Sequence, residues 1–353
     1  MNPRKNNFDL VRLFAACLVI YSHSFTLLAM PDRPVMWITP GGLGVYIFFA
    51  VSGFLIAQSW DADPHLLRYL TRRALRIFPG LAVCVLLCVL VLGPAMTKLS
   101  PMEYFTHPLL RQYLGNIALH ISYELPGVFS SNPYPRAVNG SLWTLPVEFS
   151  LYLLVALLGL AFRANRWAWL GAFVLFAAGC IFWAYLNPPM VIFYAMDTRH
   201  IAISGIYFVA GACFHKFGLT RYFSTSSVVA ALVLLMCLVA WPVVERLASW
   251  ILLPWAVLGF GLARSDKLMS LVKSGDYSYG VYIYAFPIQQ TILSLFPGIQ
   301  QPTFLLYSLA ATFVAAALSW HLIEKPALGF KPRRIPSHQE AIATIPPVPE
   351  KIS

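Results

Sequence analysis

The chain has 353 residues, 59% of them hydrophobic and 11% charged, with a formal net charge of +11 and a mean hydropathy of +0.68. This composition excludes an ordinary soluble protein of that length and points to a polytopic membrane protein. The basic residues form no amphipathic stripe with interleaved aromatics, which argues against a nucleic-acid partner; they sit between apolar runs, where they act on topology and membrane lipids.

Apolar stretches bounded by charge, Pro or Gly predict spans at about residues 10–30, 42–60, 78–97, 143–162, 167–186, 200–215, 224–241, 248–263, 277–296 and 303–322. The fold expected is therefore an all-α polytopic transmembrane protein of about ten helices. Alternate connecting segments carry 18 and 6 Lys or Arg residues. The positive-inside rule places the richer set, and both termini, in the cytoplasm. MNPRKNN runs straight into the first span without a small-residue cleavage site, so that span is expected to be retained. An integral membrane domain over 7–328 is followed by a short cytoplasmic tail, 329–353. The six cysteines lie in apolar runs without zinc spacing or a disulfide framework, and no metal site is expected.

In the first span, VRLFAACLVIYSHSF sets Arg12 and His23 11 residues apart. On a helix their directions differ by about 20° and they stand about 16 Å apart along one face, too far for an ion pair. Arg12 needs an anionic partner or an inward-facing position, and Asp9 at i−3 supplies a local one. A neutral His23 needs hydrogen-bond partners away from water. The second span opens GGLGVYIFFAVSGFLI, in which Ser52 and Gly53 offer small surfaces for helix packing or a narrow path.

LLRYLTRRALRIFPG then places Arg68, Arg72, Arg73 and Arg76 largely on one side of a juxtamembrane helix ending near Pro79. The cluster reads as an anionic-lipid contact or as a clamp for a phosphorylated donor. PRAVNGSLWTLPVEFSLYLL brings Arg136, Asn139, Ser141, Trp143 and Glu148 to the entrance of the fourth span. Trp143 suits an interface anchor. Glu148 requires a partner, either Arg136 or an arrangement that orients His23 and binds a hydroxyl acceptor. No second carboxylate supports paired-acid glycoside hydrolysis. In GDYSYGVYIYAFP, with Asp276, Tyr279 and Tyr282 the tyrosines line a sugar-sized groove or pack at an interface. His321 and Glu324 near Lys325 read as a local charge cap or as a structural link to the arginine cluster.

Taken in order, the Arg12 and His23 spacing, GVYIFFAVSGFLI, RRALRIFP, NGSLWTLPVEFSLY, SYGVYIYAFP and IEKP resemble the membrane acyltransferase-3 family over about residues 7–328. The resemblance implies O-acylation of carbohydrates or related hydroxyl compounds, with acetyl-coenzyme A as a substrate rather than a tightly bound cofactor. It also implies His23 as the catalytic histidine, Arg12 as support for the donor or the catalytic geometry, Arg72, Arg73 and Arg76 at the acyl-coenzyme A, and Glu148 in a functional role. Where many relatives carry a histidine in the aromatic segment before proline, this chain has Ala285, which leaves proton transfer to His23. No segment resembles the hydrolase-like domain fused to some relatives.

The mechanism expected has His23 deprotonating an acceptor hydroxyl as it attacks the thioester, with Asn139, Trp143, Tyr279 and Tyr282 holding a carbohydrate or glycolipid acceptor. Arg12 binds the donor or the developing oxyanion. The alternative is a proton-coupled transporter or flippase in which Arg12, His23 and Glu148 form a polar path.

Overall fold

The apolar stretches form helices in the computed structural model, which describes residues 6–162, 165–263 and 275–332. A helix satisfies every peptide group within its own segment, which a hydrocarbon layer demands. The topology charges Arg4, Lys5, Arg163, Arg264, Lys267 and Lys273, and the tail from 333 with Arg333, Arg334 and Lys351, lie outside the described residues.

Helices α1 (Phe8–Thr26), α2 (Pro40–Ala62) and α3 (Leu66–Leu87) are followed by a short helix α4 (Gly93–Met96). Two short surface helices, α5 (Pro101–Thr106) and α6 (Pro108–Leu114), lie in the long connection before α7 (Thr144–Phe162). Next come α8 (Arg166–Leu186), α9 (Arg199–Lys216), α10 (Thr225–Cys237), α11 (Pro242–Leu262), α12 (Ser278–Leu295), α13 (Gln301–Ser319) and α14 (Lys325–Gly329). A two-residue antiparallel hairpin, Ile192–Phe193 with Met196–Asp197, joins α8 to α9. Among the described residues, seven helical stretches are long and apolar enough to cross a membrane. The protein is thus an all-α bundle with several membrane-length helices.

Two boundaries differ from the sequence expectation. The helix bearing the arginines does not end near Pro79; α3 continues through it, then through a π turn at Cys88–Leu92 into α4. Proline removes one backbone donor, a loss that a membrane-length helix tolerates where neighbouring groups re-satisfy the freed backbone. Tyr279 Oη donates to Ile77 O at 2.7 Å, two residues before this proline. Helix α11 starts at Pro242, six residues before the expected span, because proline suits the first helical turn. The two π turns, Cys88–Leu92 and Trp320–Glu324, lead into short helices carrying proline in their first turn, Pro94 and Pro326.

Helices α2 and α9 form the closest-packed seam, with α1 on the other side of α2. A Cβ at Gly53 would lie 1.8 Å from Phe208 O, and one at Gly211 would lie 2.2 Å from Ala50 O. The two backbones therefore touch through reciprocal glycines, as small-residue seams allow. Gly53 has the packing role expected of it. Helix α12 packs against α13 and α1, which brings the two ends of the chain together around α1.

The long connection before α7 is pinned to α12 by a buried amide. Gln290 Nε2 donates to Tyr134 O and Ala137 O, both at 2.8 Å, and Asn132 Nδ2 donates to Gln290 O at 2.9 Å. This clamp holds the loop as one wall of the site described next.

Candidate functional site

Helix α1 carries both polar residues of the first span, and each opens into a different cavity. Arg12 lines a cavity of about 260 Å³ together with Ser52, Arg73, Arg76, Glu148, Asp276 and Tyr279. His23 lines a second, of about 810 Å³, with Ser22, Tyr46, Tyr134, Trp143 and His200. Val45 and Tyr282 belong to both linings. These two side chains are thus the partition between the basic cavity and the histidine cavity.

The basic cavity is an ion-pair network. Asp276 Oδ2 lies 2.7 Å from Arg76 Nη2 and 3.4 Å from Arg12 Nη2, while Ser278 Oγ donates to Asp276 Oδ1 at 2.5 Å. Arg12 also meets Asp9 at 2.5 Å, its local partner at i−3, and Arg76 lies 3.6 Å from Glu324. Burial alone would raise the Asp276 carboxyl, but Arg12, Arg76 and the Ser278 hydrogen bonds hold it well below the usual carboxylate range. Of the two readings of Glu324, the link to the arginine cluster is the one observed: the residue is buried, lies 3.6 Å from Arg76, and its Oε1 accepts from Ser319 Oγ at 2.9 Å. His321 instead meets Tyr277 Oη at 3.3 Å.

This network redistributes the arginine cluster. Arg72 Nη1 lies 2.7 Å and Arg68 Nη2 2.5 Å from the buried Asp63. The Arg68 hydrogen bond, and then Arg72, hold that carboxyl well below its ordinary range. Arg72 is consequently committed to a turn between α2 and α3 and lines neither cavity. Arg76 is shared with Asp276 and Glu324. Among the described residues, Arg73 makes no carboxylate pair; its guanidinium lies 6.0 Å from the Tyr69 ring centre and 5.9 Å from that of Tyr152. A desolvated guanidinium lacking a counter-ion is the natural anion contact of the cavity.

Glu148 has neither of its expected partners. It accepts from Ser52 Oγ at 3.2 Å and forms a short hydrogen bond with Tyr152 Oη, whereas Arg136 lies 3.8 Å from Glu124. Glu148 projects into the basic cavity and His23 into the other, so the two are not joined by a hydrogen bond. Glu148 follows Trp143, which is on the histidine cavity, by about one and a half helical turns, so the two side chains point in directions about 140° apart.

The four residues expected at the acceptor also separate. Trp143 lines the histidine cavity, with its ring centre 4.3 Å from that of His200. Tyr282 stands at the partition, its Oη donating to Ser141 O at 2.9 Å and lying 2.8 Å from Thr144 Oγ1. Tyr279 belongs to the basic cavity, beneath the Arg76 guanidinium at 5.5 Å. Asn139 is fully buried: it donates to Ile283 O at 2.9 Å and accepts from Ser141 N at 3.1 Å. An amide bonded at both ends in this way caps the turn before α7 and lines neither cavity.

His23 is half-buried and meets the Phe286 ring edge-on at 5.1 Å. Its Nδ1 is buried with no hydrogen-bond partner among the described residues. The neighbouring Ser22 Oγ makes a short hydrogen bond to Asp32, whose Oδ1 is likewise buried and unpartnered. Ala285 packs in an apolar cluster with Ala16 and Ile20 of α1, so its side chain is turned away from the cavity that His23 lines. Sequence reasoning missed His200, Tyr152, Asp32 and Asp63. Asp63 alone had a readable signal, a carboxylate in the turn directly preceding a basic helix.

The sequence profile of an acyltransferase domain matches residues 5–324. The chain belongs to the acyltransferase-3 family. It is 29% identical to an O-acetyl transferase of Shigella phage Sf6 over 91% of this chain and 96% of that protein. It is 30% identical to nodulation protein 10 of Rhizobium leguminosarum bv. viciae over 92% of this chain and 93% of that one. No solved structure matches the chain. This acyltransferase is a membrane-embedded enzyme of the O-acetyl-transfer type that draws on an acyl-coenzyme A-like donor.

Proposed function

We propose that the acyltransferase moves an acetyl group from cytoplasmic acetyl-coenzyme A to a hydroxyl of a cell-surface or lipid-linked carbohydrate. The observation that carries this reading is the pair of cavities meeting at Val45 and Tyr282, one basic and one holding His23. Ten spans with both termini in the cytoplasm put the basic cavity on the cytoplasmic side of a bacterial inner membrane and the histidine cavity on the opposite side. The thioester arm enters from the arginines and the acceptor enters among Tyr46, Tyr134 and Trp143. Aromatic faces of this kind suit the apolar faces of a sugar ring.

In the reaction, neutral His23 takes the proton of the acceptor hydroxyl as that oxygen attacks the thioester carbonyl carbon. The carbon–sulfur bond then breaks, and the imidazolium returns the proton to the leaving thiolate. The acyl group ends on the acceptor oxygen and coenzyme A leaves as the free thiol. Arg73 provides the donor contact; Arg12 and Arg76, held by Asp276, set the field of the cavity. Glu148, bonded to Ser52 and Tyr152, shapes the channel on the donor side. The division of Arg12, His23 and Glu148 between two cavities weighs against a single proton path for transport.

Purified protein supplied with labelled acetyl-coenzyme A and candidate glycans tests the proposal. Coenzyme A release in step with labelled glycan is the expected result; thioester hydrolysis without labelled glycan in any acceptor panel removes the carbohydrate assignment.

A further inference from the structure

The basic cavity is too small for its donor. At about 260 Å³ it falls just below the roughly 300–1,000 Å³ of pockets that enclose a drug-sized ligand, and a coenzyme A thioester is larger than such ligands. The cavity therefore takes the thioester and pantetheine arm and leaves the nucleotide end, with its phosphates, at the mouth. What stands at the mouth is decisive for donor recognition.

Helix α14 packs against α3 and carries Leu328 into the cavity lining, with Lys331 joining it two residues past the helix end. Both residues lie beyond the stretch 5–324 that matches the family domain. Lys331 remains exposed as a residue, yet its ammonium is surrounded by like charge. Partial burial, and then the guanidinium groups of Arg73, Arg76 and Arg72, push its pKa down to about 8, with Asp276 acting in the opposite direction. No carboxylate pairs with Lys331 or Arg73 among the described residues, whereas the neighbouring Arg12, Arg72 and Arg76 each have one. Two uncompensated cations lining one cavity, Arg73 within it and the exposed Lys331 at its edge, are the arrangement that a phosphate completes.

We propose that Lys331 and Arg73 together bind a phosphate group at the nucleotide end of the acyl-coenzyme A donor, so that the segment following the family domain sets donor recognition in this chain. The inference rests on the donor reading of the basic cavity given above. Lys331 is a binding residue and takes no part in the proton transfer.

The test compares wild type, Lys331→Gln and Lys331→Arg in purified, reconstituted protein, with acetyl-coenzyme A, its 3′-dephospho form and acetyl-pantetheine as donors. Losing one charge-assisted contact is expected to raise KM for acetyl-coenzyme A about tenfold with kcat unchanged, and Lys331→Arg to restore it. The penalty of Lys331→Gln disappears with acetyl-pantetheine, which has no phosphate. If it also disappears with the 3′-dephospho donor, the ligand is the 3′-phosphate; if it persists there, the ligand is the pyrophosphate. An unchanged KM in Lys331→Gln, an equal penalty with acetyl-pantetheine, or a penalty that follows the anionic-lipid content of the vesicles overturns the assignment. Coenzyme A binding to wild type, followed by thermal shift, separates the two levels. Equal binding by wild type and Lys331→Gln defeats this inference alone, while no binding by wild type defeats the donor reading beneath it.

Discussion

Arg76 and Asp276 lie 2.7 Å apart although 200 residues separate them in the chain. This contact ties α3 to the start of α12, and through Asp276 it reaches Arg12 on α1. Removing the carboxylate leaves two partly buried guanidinium groups without their shared counter-ion. Asp276→Asn is expected to cost on the order of 2–4 kcal/mol of stability, seen as a lowered Tm in detergent. The folded carboxyl is depressed, so its contribution is present above the unfolded value and is lost as pH falls below about 4. The wild-type Tm should therefore be insensitive to this group between pH 5 and 8.

The neighbouring arginines separate by function. Arg73→Met is expected to raise KM for acetyl-coenzyme A by about tenfold to a hundredfold with Tm little changed, since that guanidinium makes no carboxylate pair. Arg72→Met removes a contact to Asp63 and is expected to lower Tm while leaving KM within about twofold. Steady-state kinetics and thermal shift on the two variants check this; a reversal of the two phenotypes contradicts the division of the cluster.

Donor affinity has a predictable pH dependence. Lys331 titrates near 8, below an ordinary lysine, because of partial burial and adjacent guanidinium groups. Its charge is present below that value and lost above it, so KM for acetyl-coenzyme A should be flat from pH 6 to 7.5 and rise as pH passes 8. Stability carries the opposite sign: the unfolded chain binds the extra proton between about 8 and 10.4, so folding gains as pH rises through that window. A Lys331→Gln protein should show no rise of KM in that range.

The α2–α9 seam gives a stability control. Gly53→Ala places a methyl within 1.8 Å of Phe208 O and is expected to cost about 2–3 kcal/mol or to abolish folded yield. Gly171→Ala on α8 meets nothing within 4 Å and should be neutral or slightly stabilising. Comparison of folded yield and Tm for the pair separates close packing from a general intolerance of alanine.

Much of the fold was legible because hydropathy and helix length are local properties. The long helices coincide with the apolar stretches, and Arg12 and His23 share one helix because 11 residues bring a helix almost back to the same direction. Of the charge pairs, the local one between Arg12 and Asp9 was legible from its i−3 spacing, but the long-range ones were not fixed by it. Arg76 finds Asp276 and Glu324 only after α3, α12 and the end of α13 converge, so a cluster that reads as four equivalent phosphate ligands becomes one unpaired guanidinium and three committed ones. Pro79 misled for a related reason: it reads as a helix end in isolation, but α3 runs on through it, with Tyr279 of α12 bonded to the nearby Ile77 carbonyl. Asn139 and Glu148 lay in a segment of the right family pattern, yet only tertiary contacts reveal which of them opens into a cavity.

Transfer across sealed vesicles tests the central claim most directly. Acetyl-coenzyme A is enclosed with the protein oriented so that the basic cavity faces inward, and a carbohydrate acceptor is added outside. Labelled acetyl should appear on the external acceptor for wild type and fall at least a hundredfold in kcat for His23→Ala, with coenzyme A binding unchanged. Equal transfer by His23→Ala, or transfer only when donor and acceptor share one side, would contradict the account.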